Sequence, residues 1–235
     1  MMDTAMAARA VGGSVVGAAV HFSRVTTDTR ALAPGDLFVA LKGERFDGHD
    51  FVAHALASGA AAALVADSRA ASLDGNLIAV ADPLRSLGTL AAFWRSRFDI
   101  PVAVVVGSNG KTTTKEMIAA IFHAAEGESA VAATPGNFNN AIGLPLAVLT
   151  LRASHRLAVF EIGMNSWCSR CAFVITAIVG CATCASSRVS PRWFMPISNT
   201  ARRCDARSES TASGSPIALL KLPGVAATAL SPSAA

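Results

Sequence analysis

Between Val102 and Lys115 the chain reads VAVVVGSNGKTTTK: an apolar run of strand length, a short loop of small residues, then a helical stretch. That order of parts suits a phosphate group. Small residues let backbone N–H groups wrap around phosphate oxygens, and the N-terminus of the following helix adds a favourable dipole. Lys111 would reach the β- and γ-phosphates of a nucleotide, and the Thr112 hydroxyl would sit on Mg²⁺. The usual loop has a glycine six residues before the lysine. Val105 stands there, so this is a shorter GxxGKT variant. The competing reading is an ordinary strand-to-helix turn that contains Gly and Lys, but the complete succession of strand, loop and helix favours the phosphate site.

Two further groups could serve the same chemistry. Glu161 closes the apolar run LAVF, and a carboxylate at the C-terminal end of a buried strand is where a phosphate-loop protein holds its metal. Alone, it would read as a solvated strand end. The segment Pro135–Pro145, PGNFNNAIGLP, has three asparagines in four positions. Asparagine side chains both donate and accept, which suits phosphate and amide groups, although such clusters also make plain loops.

The elements that must hold these residues follow from the pattern on either side. From residue 101 onward strands and helices alternate: Val102–Val106, a helix from about Thr113 to Ala125, Ser129–Ala133, a helical stretch around Ile142–Leu149, and Leu157–Ile162. This predicts a parallel sheet with ligands at the strands' C-terminal ends. Before it lie an Ala-rich helix broken at Gly12–Gly13, a strand at Leu37–Leu41, a helix capped by Asp50, and strands at Ala62–Val65 and Leu77–Val80. Asp82 is expected to cap a helix with Pro83 at its first position. There Leu84, Leu87, Leu90, Ala91 and Trp94 recur every three or four residues and mark one buried face. Asp99–Ile100–Pro101 reads as a linker. The predicted class is therefore α/β: a small mixed α/β domain over 1–98, then a phosphate-loop, parallel-sheet domain over 99–165, then a tail.

Charge and cysteine content change near Asn165. The formal net charge of +4 arises in the tail, because residues 1–165 carry 13 basic and 14 acidic side chains against 7 and 2 beyond them. The basic balance thus gives the folded part no reason to bind nucleic acid. All five cysteines (Cys168, Cys171, Cys181, Cys184 and Cys204) lie in the tail. Two CxxC pairs raise a zinc site as an alternative, but their spacer is short and apolar. No apolar run reaches the ~20 residues of a spanning helix. The N-terminus lacks the basic leader of a secretory signal, so a cytoplasmic protein without membrane insertion is expected.

GSNGKTTTKEM, GNFNNAIGLP and EIGMN, in this order, resemble the motifs of the Mur ligase family. Phe-Asn-Asn and Gly-Met-Asn are similar to the branch that adds D-alanyl-D-alanine to UDP-N-acetylmuramoyl-tripeptide; sister branches share the loop and the PGDLF segment. Val25–Arg30 (VTTDTR) and Pro34–Phe51 (PGDLFVALKGERFDGHDF) resemble the family's first domain, which holds the uridine end of the substrate. The resemblance covers about residues 5–165. It implies ATP and Mg²⁺ as cofactors, and a reaction in which ATP phosphorylates a carboxylate and an incoming amine displaces phosphate. It assigns the nucleotide to Gly107, Ser108, Asn109, Gly110, Lys111, Thr112 and Thr113, and catalysis to Lys111 and Glu161. The metal would fall to Thr112 and Glu161, and the substrate to Thr27, Asp28, Thr29, Arg30, Lys42, Asn137, Asn139 and Asn140. The implied partners are UDP-N-acetylmuramoyl-tripeptide and D-alanyl-D-alanine, handled by a monomeric cell-wall enzyme.

The pattern departs after Asn165. His-Pro-Gly-Glu should follow in the family, and Ser166–Trp167–Cys168–Ser169 stands there instead. Residues 166–235 are rich in Ser, Arg, Ala and Pro, with too little apolar periodicity to offset a backbone ordering cost of about 1–2 kcal/mol per residue. The expectation is an irregular, out-of-frame tail on an incomplete and inactive ligase. A nucleotide switch or kinase is the alternative from another class, but it leaves PGDLFVALKG and the Asn loop without a use.

Overall fold

The computed structural model describes residues 1–107, 109–136 and 138–163, with the backbone of two short strands at 194–196 and 218–220. The first unit runs through β1 (Met2–Asp3), α1 (Thr4–Val11), β2 (Ser14–Val16), β3 (His21–Phe22), β4 (Arg24–Thr26), β5 (Asp36–Val39), α2 (Val52–Ala57), β6 (Ala62–Ala66), α3 (Asp67–Ala70), β7 (Leu77–Val80) and α4 (Pro83–Arg95). Its sheet has the order β2-β7-β6-β5-β4, parallel from β4 to β7 with β2 antiparallel at the edge. Every residue of β5 and β7 is buried. Parallel strands covered on both faces need unbroken apolar runs, and DLFV and LIAV supply them. Asp36 is the charged exception, and Arg24 meets its carboxylate at 2.6 Å.

The second unit contains β8 (Val102–Val106), α5 (Lys111–Glu126), β9 (Val131–Ala133), α6 (Gly143–Leu149) and β10 (Leu157–Glu161). β10 lies between β8 and β9, parallel to both. Two tail segments join this sheet: β11 (Phe194–Pro196) pairs antiparallel with β12 (Ala218–Leu220), and β12 pairs antiparallel with β8. The pattern of the tail gives no sign of these strands. The rest of the expectation for residues 166–235, including the CxxC pairs, lies outside the described residues.

Two local expectations need correction. The helical stretch after residue 47 is capped by Asp47, whose carboxylate accepts from the His49 N–H, and opens as a 3-10 turn over Gly48–Phe51; Asp50 is inside that turn. His49, inside the turn, is buried. Its Nε2 accepts from the Ala66 N–H at 2.9 Å and its Nδ1 meets Asp47 at 2.5 Å, tying this turn to the end of β6. On α4, Asp82 caps as expected, accepting from the N–H groups of Leu84 and Arg85. Leu84 itself is 39% exposed, because it sits in the first turn beyond the reach of the core.

The buried face of α4 also has an unexpected neighbour. Leu87, Leu90, Ala91 and Trp94 belong to one apolar cluster with Leu144, Ala147, Val148 and Leu151 of the second unit, and α4 packs along α6. Trp94 donates its indole N–H to the Leu151 carbonyl at 3.1 Å. Arg152 donates to the Leu151 carbonyl at 2.9 Å and to that of Ser23, in the first unit, at 3.3 Å. The Asp99–Pro101 connection is held by Arg95, which donates to the Phe98 and Ile100 carbonyls.

Candidate nucleotide and metal site

β8 ends at Val106, and the chain reaches α5 through Gly110, whose φ of 72° is the left-handed conformation that favours glycine. Gly110 stands at the cap position and has no side chain to cap with, so the first amides of α5 face the loop. Lys111 is the first helical residue. Thr112 and Thr113, in the first turn, and Asn109, in the loop, are exposed. Ser108 and Asn137 lie outside the described residues.

The strand register delivers Glu161 to this loop. Glu161 pairs with Val105 across β10 and β8, one residue from where β8 ends. Its side chain is almost wholly buried. One carboxylate oxygen accepts from the Thr112 hydroxyl at 3.0 Å and the other from the Asn139 amide at 2.8 Å. A buried carboxylate is tolerable only when its lone pairs are met, and here the phosphate-loop helix and the Asn loop meet them. Thr112, Asn139 and Glu161 are therefore brought together, although the sequence separates them widely.

Asn140 does something different. Its side-chain oxygen accepts from the N–H groups of Ile142 and Gly143, at 3.0 and 2.8 Å, and so caps the turn that opens α6. Gly163 backs the loop from the other side: its N–H donates to the Asn139 carbonyl at 2.7 Å, and a Cβ there would lie 2.8 Å from the same oxygen.

Two residues that sequence reasoning passed over complete the arrangement. Lys115 is fully buried, and its Nζ donates to the Thr134 carbonyl at 2.7 Å. Thr134, buried just beyond β9, accepts the Glu161 N–H on its hydroxyl at 3.0 Å. The available signal was spacing: Lys115 is three residues after Thr112, on the same helix face, and Thr134 directly follows the last residue of β9.

The oxygen set suits Mg²⁺. Among the described residues no group of three or more His, Cys, Asp or Glu gathers to hold a metal. Mg²⁺ is ordinarily held by one or two carboxylates, with waters and phosphate oxygens completing its shell, and not by an all-protein cage. Glu161 and Thr112 offer one carboxylate and one hydroxyl oxygen that could serve in this way.

In the first unit, a groove of about 380 Å³ opens at the C-terminal ends of β5 and β6, lined among others by Lys42, Asp47, His49 and Arg69. Thr27–Arg30 follow β4 at the same edge of the sheet but do not line the groove. There Arg30 grips Asp28 through two hydrogen bonds of 3.0 and 2.7 Å. Those bonds, with the Arg30 N–H, hold the Asp28 carboxyl at about 2.

Comparison with known proteins agrees with this geometry. The model of the Mur ligase family catalytic domain matches residues 21–126, and that of the Mur ligase middle domain matches residues 105–181. The chain belongs to the Mur ligase family. The middle-domain match continues past the change of composition near Asn165. Among curated relatives of this Mur ligase chain is the UDP-N-acetylmuramoyl-tripeptide–D-alanyl-D-alanine ligase of Escherichia coli (strain K12), 46% identical over 155 residues, which are 66% of this chain and 33% of that protein. The enzyme of the same name from Bacillus subtilis (strain 168) is 46% identical over 143 residues, 60% of this chain and 31% of its own length. The chain thus spans about a third of the length of these relatives. Two solved structures are similar at 33% identity. The Acinetobacter baumannii UDP-N-acetylmuramoylalanyl-D-glutamyl-2,6-diaminopimelate–D-alanyl-D-alanyl ligase has a TM-score of 0.64 over 75% of this chain and 39% of its own. The MurF ligase of Thermotoga maritima in complex with ADP has a TM-score of 0.54 over 66% and 35%. No helix among the described residues is long and apolar enough to cross a membrane.

Proposed function

We propose that this Mur ligase chain carries the nucleotide half of the reaction that adds D-alanyl-D-alanine to UDP-N-acetylmuramoyl-tripeptide at the expense of ATP. The observation that carries the proposal is the meeting of Thr112 and Asn139 on the buried carboxylate of Glu161, beside the N-terminus of α5. The names of the curated relatives support the substrate pair, and the ADP-bound relative supports the nucleotide.

In this reading the amides from Gly107 to Thr113, with Ser108 and Asn109, cradle the phosphates, and Lys111 neutralises charge on the transferred group. Glu161 and Thr112 hold Mg²⁺, which when bound offsets negative charge on the phosphate oxygens. The acceptor carboxylate is assigned to Asn137, Asn139 and Asn140, and the uridine end to Thr27–Arg30 with Lys42. The chemistry is mainly positioning and electrostatics: ATP phosphorylates the peptide carboxylate, and the amine of D-alanyl-D-alanine displaces the phosphate. The setting is cytoplasmic peptidoglycan precursor synthesis by a monomer, with residues 1–98 and 99–165 as the substrate and ATP domains.

The test is ligand protection of the purified chain against heat. ADP with Mg²⁺ is expected to raise the melting midpoint, and Lys111→Ala to remove most of that rise. UDP-N-acetylmuramoyl-tripeptide is expected to raise it independently. Protection by ADP without protection by the muramoyl peptide would replace this reading with that of a simple nucleotide-binding protein.

A further inference from the structure

Lys115 is an expensive residue to bury. A lysine nitrogen taken out of water costs free energy unless it is fully hydrogen-bonded. Here Nζ reaches the Thr134 carbonyl at 2.7 Å, the Gly136 carbonyl at 3.4 Å and the Glu116 carboxylate at 2.8 Å. Two of these partners are backbone oxygens of one short segment, the one that leaves β9 and leads to the Asn loop. The same segment aligns Glu161, because the Thr134 hydroxyl accepts the Glu161 N–H.

The bonds form a closed circuit. α5 touches the Glu161 carboxylate through Thr112 and, one turn later on the same face, tethers through Lys115 the residue that orients the Glu161 backbone. The circuit continues from Glu161 to Asn139, just beyond the tethered segment. An apolar residue at 115 would fill the space but leave the Thr134 and Gly136 oxygens without this donor. The chain leaving β9 could then turn freely, and Glu161 and Asn139 would lose their shared alignment.

We propose that Lys115 is a positioning residue for the metal–nucleotide site: it holds the β9 exit so that Glu161 presents its carboxylate to a nucleotide-bound Mg²⁺. The proposal rests on the nucleotide reading above. It is distinct from a purely structural role, which would alter ADP binding to the same degree with and without the metal.

Calorimetric titration of the full chain with ADP, in the presence and absence of Mg²⁺, separates the cases. Lys115→Met is expected to weaken Mg²⁺-dependent binding by about 10- to 100-fold, the range typical of residues that orient a metal ligand. Binding without Mg²⁺ should stay near wild type. Lys115→Arg, which keeps donors for both carbonyls, should recover most of the loss. Thr134→Val keeps the tethered carbonyl and the side-chain shape but removes the hydroxyl that orients Glu161. It should reproduce the Mg²⁺-specific loss, and it carries the test if Lys115→Met does not fold. An unchanged Mg²⁺ effect in both Lys115→Met and Thr134→Val overturns the proposal. So does an equal loss with and without Mg²⁺. Wild-type chain that binds no ADP under either condition overturns the nucleotide reading itself, and the positioning role with it.

Discussion

Thr112 and Glu161 stand 49 residues apart in the chain, and the hydroxyl of one donates to the carboxylate of the other at 3.0 Å. The first turn of α5 and the last residue of β10 share one edge of the sheet because β8 and β10 are parallel neighbours whose register sets Glu161 opposite Val105. Parallel strands joined through helices bring their C-terminal ends to one edge, so the contact follows from topology more than from any local preference.

Removing the charge of Glu161 while keeping its shape tests what the contact is for. In Glu161→Gln the amide oxygen can still accept from Asn139 or Thr112, so the melting midpoint should change little. Mg²⁺ should then no longer tighten ADP binding, a loss of about tenfold or more as for other oriented metal ligands. Calorimetry with and without Mg²⁺ reads both quantities, and a full Mg²⁺ effect in the variant would remove Glu161 from the metal set.

Asn140 offers a way to separate support from recognition. Its oxygen accepts from two amides at the start of α6, so Asn140→Ala should cost about 1 kcal/mol in denaturant unfolding. Asn140→Asp keeps an acceptor and should be close to neutral in stability. If Asp at this position also leaves protection by the muramoyl peptide unchanged, Asn140 shapes the loop and does not touch the substrate.

Trp94 joins the two sheets. Trp94→Phe deletes the indole donor but leaves the Leu151 carbonyl its bond from Arg152, a loss of about 0.5–1.5 kcal/mol. Trp94→Ala also opens a cavity between α4 and α6 and should cost about 3–5 kcal/mol. Because one apolar cluster runs through both units, scanning calorimetry of the wild type should give a single transition over residues 1–163. Two well-separated transitions would show that the shared core contributes little.

The Asp47–His49 pair predicts an acid limit. The His49 N–H and then its ring nitrogen hold the Asp47 carboxyl below its ordinary 3.8. A depressed carboxyl stabilises the fold fully above its unfolded-state value and loses that contribution as pH falls through the lower folded-state value. The melting midpoint of wild type should therefore exceed that of Asp47→Asn by a constant margin from about pH 6 down to near 5, and the margin should shrink below pH 3.8. A margin independent of pH would show that the carboxylate charge plays no part.

Much of this protein could be read from its residues because the determining interactions are local. Unbroken apolar runs mark β7 and β8 at the observed bounds. Asp82 before Pro83 starts α4 through the geometry of a helix N-terminus, and the loop from Gly107 to Thr112 carries the glycines, lysine and threonine of the proposed phosphate site. Glu161 was legible only as a strand-end carboxylate beside such a loop. The tertiary structure decided the rest, where the cause is distance in sequence. Strand order brings Thr112, Asn139 and Glu161 to one point, and no spacing rule encodes which strand becomes the neighbour of β8. Asp47 in place of Asp50 as cap depends on where the turn packs His49 against β6. Lys115 reads in sequence as one more charged helical residue. Only the fold, by laying α5 over the end of β9, turns it inward onto the Thr134 carbonyl, because a buried amine must find its acceptors among whatever chain is packed beside it.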